Sequence, residues 1–216
     1  MIYNSDSAAK VAESLLQIKA IKLNNAEPFT WASGLKSPIY CDNRIALSFP
    51  KIRTYIRQQI VEAIEDKFGE VDVIAGVATA GIPQAALVAA AMGLPLVYVR
   101  SSEKKHGMTN KIEGVINPGQ SVVVIEDLVS TGKSSLKAVD ALRGAGASVK
   151  GMVAIFTYGL LKAAENFEKA NCQLVTLSDY ENLVKIATEG NYISNSDLLP
   201  LMDWRKDPQA WSDARK

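Results

Sequence analysis

Apolar residues recur along the chain with two different periods. Over 5–19, Val11, Leu15 and Ile18 fall at helical spacing, and from Pro50 onward an isoleucine returns every four residues at 52, 56, 60 and 64. Both segments are predicted as helices with one buried face, the second ending near Gly69. Between them, 21–40 carries Pro28, Gly34 and Pro38 among short β-prone pieces, FTW at 29–31 and IYC at 39–41. That mixture predicts short strands and turns, in the manner of a hairpin. From Val71 the pattern changes to alternation. Continuous apolar runs predict strands at 73–77, 96–99, 121–125, 149–156 and 172–177. Helical stretches fall between them at 82–92, 133–143 and 160–169, and helices around 180–188 and 196–212 close the chain. Such alternation predicts an α/β fold, a mostly parallel twisted sheet flanked by helices. The β-branched run SVVVI at 121–125 is its central strand.

One stretch raises a membrane question. Residues 73–99 contain no charge, and the run is 27 residues long, enough to cross a bilayer. Gly76, Gly81, Pro83, Gln84, Gly93 and Pro95 divide it into strand, Ala-rich helix and strand. Pro83 is tolerated in a first helical turn, and Gly93 followed by Pro95 ends the helix. The segment reads as a buried βαβ unit, with no membrane partner.

Composition narrows the chemistry. Among 216 residues, 48% are hydrophobic and 22% charged, with a net charge of +1. A folded chain with a substantial core is expected, without the global field that holds nucleic acid. Cys41 and Cys172 match no metal-ligand spacing, and a single histidine, His106, excludes zinc sites built on several imidazoles. The chain opens without the apolar run of a signal peptide, so a reduced, cytoplasmic setting is the expectation. No repeat or linker divides the sequence, which reads as a single domain over 1–216.

The most informative segment is VVVIEDLVSTGKSS at 122–135. An apolar strand ends in Glu126 and Asp127, a loop is expected over 128–132, and a helix begins at Lys133. Ligands of open α/β sheets bind beyond the carboxyl ends of the strands, where this loop falls. Ser130, Thr131 and Gly132 offer hydroxyls, N–H groups and close approach, and the helix start is a ready anion site. The two acids suit ribose hydroxyls or positive charge developing on a sugar ring. Together the parts fit a phosphorylated sugar. A nucleotide-triphosphatase loop would need glycine five residues before Gly132, where Asp127 stands. Downstream of the second strand, 100–114 holds Arg100, Lys104, Lys105 and Lys111 against Glu103 and Glu113, beside His106. On composition alone it reads as a solvated connecting loop.

The segment IEDLVSTGKSS resembles the phosphoribosyl pyrophosphate signature of the type I phosphoribosyltransferases. FTWASGLKSPIYCDNR at 29–44, VIAGVATAGIP at 73–83 and YVRSSEKKHG at 98–107 are similar, in order, to the orotate branch of that family. The resemblance covers about 15–160. It implies a phosphoribosyltransferase-like core at about 49–180, a small N-terminal hood over about 1–48 and a helical C-terminal segment. It implies transfer of the phosphoribosyl group from phosphoribosyl pyrophosphate to orotate, with Mg²⁺ held by donor oxygens and water. Arg100, Lys104 and His106 match the family's basic catalytic loop, which closes on the donor's pyrophosphate. Glu126, Asp127, Leu128, Val129, Ser130, Thr131, Gly132, Lys133 and Ser134 match its donor site, and Ser130 also touches the base. The family implies a homodimer whose loop reaches the partner's site. The sequence departs from the family's lysines at Ala32, Ala80 and Ser101, and from a base-contacting arginine at Tyr158. Lys36, Lys105 and Lys133 are the candidate replacements. Tyr40 fits either a stacking platform for orotate or a core residue. A purine phosphoribosyltransferase shares the signature, although SGLKSPIY speaks against it. A non-catalytic RNA-binding regulator would want a basic face that the charge does not supply.

Overall fold

The structure is a computed structural model and describes residues 1–31, 33–101 and 111–215. In chain order the elements are α1 (Ser5–Gln17), β1 (Ile21–Leu23), β2 (Phe29–Thr30), β3 (Lys36–Ser37), β4 (Ile39–Cys41), α2 (Pro50–Phe68), β5 (Val73–Val77), α3 (Gly81–Met92), β6 (Leu96–Val99) and β7 (Ile112–Glu113). There follow β8 (Ser121–Val129), α4 (Lys133–Gly144), β9 (Ser148–Thr157), α5 (Leu161–Lys169), β10 (Leu174–Asp179), α6 (Tyr180–Glu189), α7 (Leu198–Lys206) and α8 (Pro208–Asp213). Short 3₁₀ turns lie at Asn43–Ser48 and Asn195–Asp197.

The main sheet has the order β10-β9-β8-β5-β6-β7. Every pairing is parallel except the short edge pair of β6 with β7. Because side chains alternate across a strand, each strand feeds two cores. Ile74, Val123, Ile125, Val153 and Val175 face the apolar stripes of α1, α2, α3 and α6. Val73, Ala75, Val122, Val124 and Ala154 face Leu136, Val139 and Leu142 of α4 and Phe167 of α5. The isoleucine repeat of α2 buries Ile56, Ile60 and Ile64, with Pro50 opening the helix and Gly69 ending it at φ 65°. α3 can approach β8 closely because Gly81 has no side chain: a Cβ there would meet the Ile125 carbonyl oxygen at 2.6 Å. The charge-free run is therefore β5, α3 and β6 of the sheet, and among the described residues no helix is long and apolar enough to cross a membrane.

Three elements differ from the sequence expectation; the strand expected at 172–177 is β10 at Leu174–Asp179. β8 does not stop at the acids: Leu128 pairs with Phe156 and Val129 with Thr157 on β9, so Leu128 and Val129 are strand and the connection shrinks to 130–132. The C-terminal helical stretch breaks at Asp207, which caps α8 ahead of Pro208.

The N-terminal strands form two small ribbons, β1 with β4 and β2 with β3, both antiparallel. They reach the carboxyl ends of β8 and β9 through Asn43, bonded to Asp127, and Trp31, stacked on Tyr158 at 5.2 Å. α8 braces them from the far end of the chain, where Ser212 Oγ accepts the Lys36 N–H at 2.9 Å.

Candidate active site

β8 enters the site as an apolar strand and carries two acids, Glu126 and Asp127, shortly before its end at Val129. Continuing the alternation of Val122 and Val124 directs Glu126 toward α4, and continuing that of Val123 and Ile125 directs Asp127 toward the N-terminal ribbons. Glu126 is buried, 6% exposed. Its Oε2 accepts from Ser135 Oγ at 2.8 Å and its Oε1 from the Asp127 N–H at 3.0 Å. Burial, then the adjacent Asp127 carboxylate, pushes Glu126 well above the usual carboxylate range, and burial raises Asp127 too. Two acids this close and this buried disfavour double ionisation. Asp127 is half-buried and feels the Arg44 guanidinium, which favours its charged form.

The loop after β8 is braced from both neighbours. Thr157 Oγ1 donates to the Val129 carbonyl at 3.0 Å, and Asn166 Nδ2 donates to that of Thr131 at 2.8 Å. Gly132 turns the chain at φ 76°, and a Cβ there would sit 2.6 Å from the Phe167 ring. Only glycine meets both demands. The α4 N-terminus that follows has no side-chain cap, leaving its first N–H groups facing the loop as an anion cradle.

Cavities flank this turn. One of about 610 Å³ is lined by Ser130 and Thr131, by Trp31, Ser33 and Leu35 of the ribbons, and by Lys162 and Arg205. A smaller one of about 100 Å³ lies beyond the ends of β5 and β6, where Arg100, Lys111 and Lys137 meet Ser134. A larger groove, about 760 Å³, opens at the opposite end of the sheet beside Asp72 and Lys150, away from every signature residue. The site is assigned by its chemistry rather than by size.

Most of the expected residues converge here. Glu126, Asp127, Ser130, Thr131, Gly132, Lys133 and Ser134 follow one another along the end of β8, the turn and the start of α4, with Ser130 and Thr131 lining one cavity, Ser134 the other, and Lys133 and Ser134 exposed. Leu128 and Val129 precede the turn as strand residues, with Val129 fully buried. Arg100 is half-buried and its guanidinium donates to Glu113 at 3.1 Å. Lys104, Lys105, His106 and Ala32 lie outside the described residues. Tyr40 is 40% exposed and tilts against Phe29, so it is not a core residue. Tyr158 supplies no cation: it stacks on Trp31 and meets Trp204 edge-on, and burial pushes its phenol far above the ordinary value. Ser135, Asn43 and the C-terminal Arg205, which lines the larger of the two cavities flanking the turn, were missed. Ser135 looked like one more hydroxyl in KSS, and nothing in the sequence singled out Asn43.

The chain matches the model of the phosphoribosyl transferase domain over residues 47–186. It is 57% identical over 202 residues to an orotate phosphoribosyltransferase of Listeria innocua, covering 94% of this chain and 97% of that one. Among solved structures, an orotate phosphoribosyltransferase from Aeropyrum pernix superposes with a TM-score of 0.74 at 27% identity, over 85% of this chain and 99% of that one. One from Mycobacterium tuberculosis in complex with 5-phospho-α-D-ribosyl 1-diphosphate does so with a TM-score of 0.64 at 26% identity, over 82% and 98%.

Proposed function

The chain belongs to the phosphoribosyl transferase family, among its orotate phosphoribosyltransferases, and we propose a division of labour among its residues for the reaction of that group. The reaction transfers the phosphoribosyl group from phosphoribosyl pyrophosphate to orotate, giving orotidine 5′-phosphate and pyrophosphate in pyrimidine biosynthesis.

The observation that carries the proposal is the joining of a buried acid pair to a braced, glycine-bent helix start, with a cavity on either side. Asp127 accepts from the ribose hydroxyls, and Glu126 supports it and balances positive charge as the ring becomes oxocarbenium-like. The N–H groups and hydroxyls of 130–134 hold the 5′-phosphate, with Leu128 and Val129 fixing the strand end that presents them. Ser130 also touches the base. Arg100, Lys104 and His106 receive the departing pyrophosphate: the cations stabilise its charge, and His106 supplies a hydrogen bond or proton. Mg²⁺ arriving with the donor would neutralise part of that charge, a role that suits a cation which keeps much of its hydration. Among the described residues no group of three or more acids, histidines or cysteines could cage a metal, and no protein ligand is assigned.

We read the enzyme as a cytoplasmic homodimer whose basic loop serves the partner's site, with an N-terminal hood over the core. Unpaired Cys41 and Cys172 fit a reducing compartment. The test of the division is Lys104→Ala. If Lys104 acts mainly in the transition state, kcat falls by about a hundredfold or more while donor affinity changes little. Equal losses in kcat and donor affinity would contradict that role.

A further inference from the structure

Asn43 has no part in the division above, yet it joins the N-terminal ribbons to the acid pair. Its side chain is buried, 1% exposed. Its Nδ2 donates to the Asp127 backbone oxygen at 2.8 Å, across 84 positions of sequence. Its Oδ1 accepts from Cys41 Sγ at 3.3 Å. The Asp127 carbonyl orients the carboxamide, because a carbonyl only accepts and so faces Nδ2, which leaves Oδ1 to the Cys41 thiol. The backbone around it is pinned as well: Asp42 accepts from the Arg44 N–H at 3.2 Å and from its guanidinium at 2.6 Å. Burying a carboxamide costs desolvation that these bonds offset. An apolar side chain would avoid that cost, but would leave β8 without this tie to the ribbons.

We propose that Asn43 is a positioning residue for the transfer. Through the Asp127 backbone it holds the ribose-facing carboxylate in register with the ribbons that line the cavity of about 610 Å³ beside Ser130. The inference rests on the reading that Asp127 holds the ribose. Geometry of this kind matters because a misplacement of about 1 Å near the reacting centre costs on the order of a hundredfold in rate.

Two variants separate positioning from packing. Asn43→Ala removes both bonds. Asn43→Asp keeps the shape and the acceptor for Cys41 but, once ionised, loses the donor to Asp127. Each should lower kcat/KM for phosphoribosyl pyrophosphate by about tenfold or more, with KM for orotate near that of the parent. Asp72→Ala is the stability control: it removes the acceptor of two bonds from Ser121, at 2.6 and 2.7 Å, at the opposite end of the sheet. It should lower Tm and leave the kinetic constants unchanged. Asn43 variants whose kinetic constants match the parent, or whose losses only track Tm as in the control, overturn the proposal. Should Asn43→Ala fail to fold, the isosteric Asn43→Asp decides. Asp127→Asn is measured alongside. If it is impaired while the Asn43 variants are not, Asn43 alone is refuted. If it turns over like the parent, the ribose reading falls and takes the proposal with it.

Discussion

At the scale of single residues, the site holds a costly arrangement in the form of its acid pair. Glu126 is buried beneath α4 with its proton affinity raised by burial and by Asp127. An acid whose native pKa lies above its unfolded value binds more protons folded than unfolded. Its contribution to stability is therefore lost as pH rises from the ordinary carboxylate range through the raised native value. Between about pH 5 and about pH 8, the Tm of the ligand-free protein should fall more steeply than that of Glu126→Gln, which keeps the shape without the charge. Thermal melts across that range check this, and parallel slopes would contradict it. The same substitution should lower turnover, since an amide cannot ionise to meet the positive charge that develops on the oxocarbenium-like ring. The acids were legible because they end an apolar run. Asn43 and Ser135 were not, since their roles come from contacts 84 and 9 positions away.

At the scale of elements, the turn between β8 and α4 is held from three sides: Thr157 on β9, Asn166 on α5 and the Phe167 ring against Gly132. Gly132→Ala should therefore distort the phosphate cradle by two routes, a residue forced to φ 76° and a Cβ driven into Phe167. Strain at such a position costs about 1–3 kcal/mol. Titration of the donor should show affinity falling about tenfold or more, and unchanged affinity would refute the cradle. The alternation of periods made the strand and helix order legible from β5 onward, because a parallel sheet buried on both faces imposes continuous apolar strands. The end of β8 was misjudged for the converse reason. Charged Glu126 and Asp127 look like a strand end, but pairing of Leu128 and Val129 with β9 carries the strand past them. The aromatic cluster of Trp31, Tyr158, Tyr180 and Trp204 was also hidden. It is assembled from four distant segments, and no local spacing announces it.

At the scale of the whole molecule, a chain of near-neutral charge separates its charges. The acid pair lies near the carboxyl end of the central β8, while Arg100, Lys111 and Lys137 line a cavity beyond β5 and β6. A donor whose ribose hydroxyls lie apart from its pyrophosphate fits that separation. If the basic loop serves the partner's site, mixing inactive Lys104→Ala with inactive Asp127→Asn under subunit exchange should restore about a quarter of the parent's activity, since half the dimers are mixed and each carries one intact site. No recovery would place the loop in its own subunit's site. Above all of these stands the claim that this framework serves orotate. Purified protein supplied with phosphoribosyl pyrophosphate and Mg²⁺ should consume orotate, with release of pyrophosphate and formation of orotidine 5′-phosphate, and should leave adenine, hypoxanthine and uracil essentially untouched. Turnover of a purine in preference to orotate, or no consumption of orotate, would contradict the account.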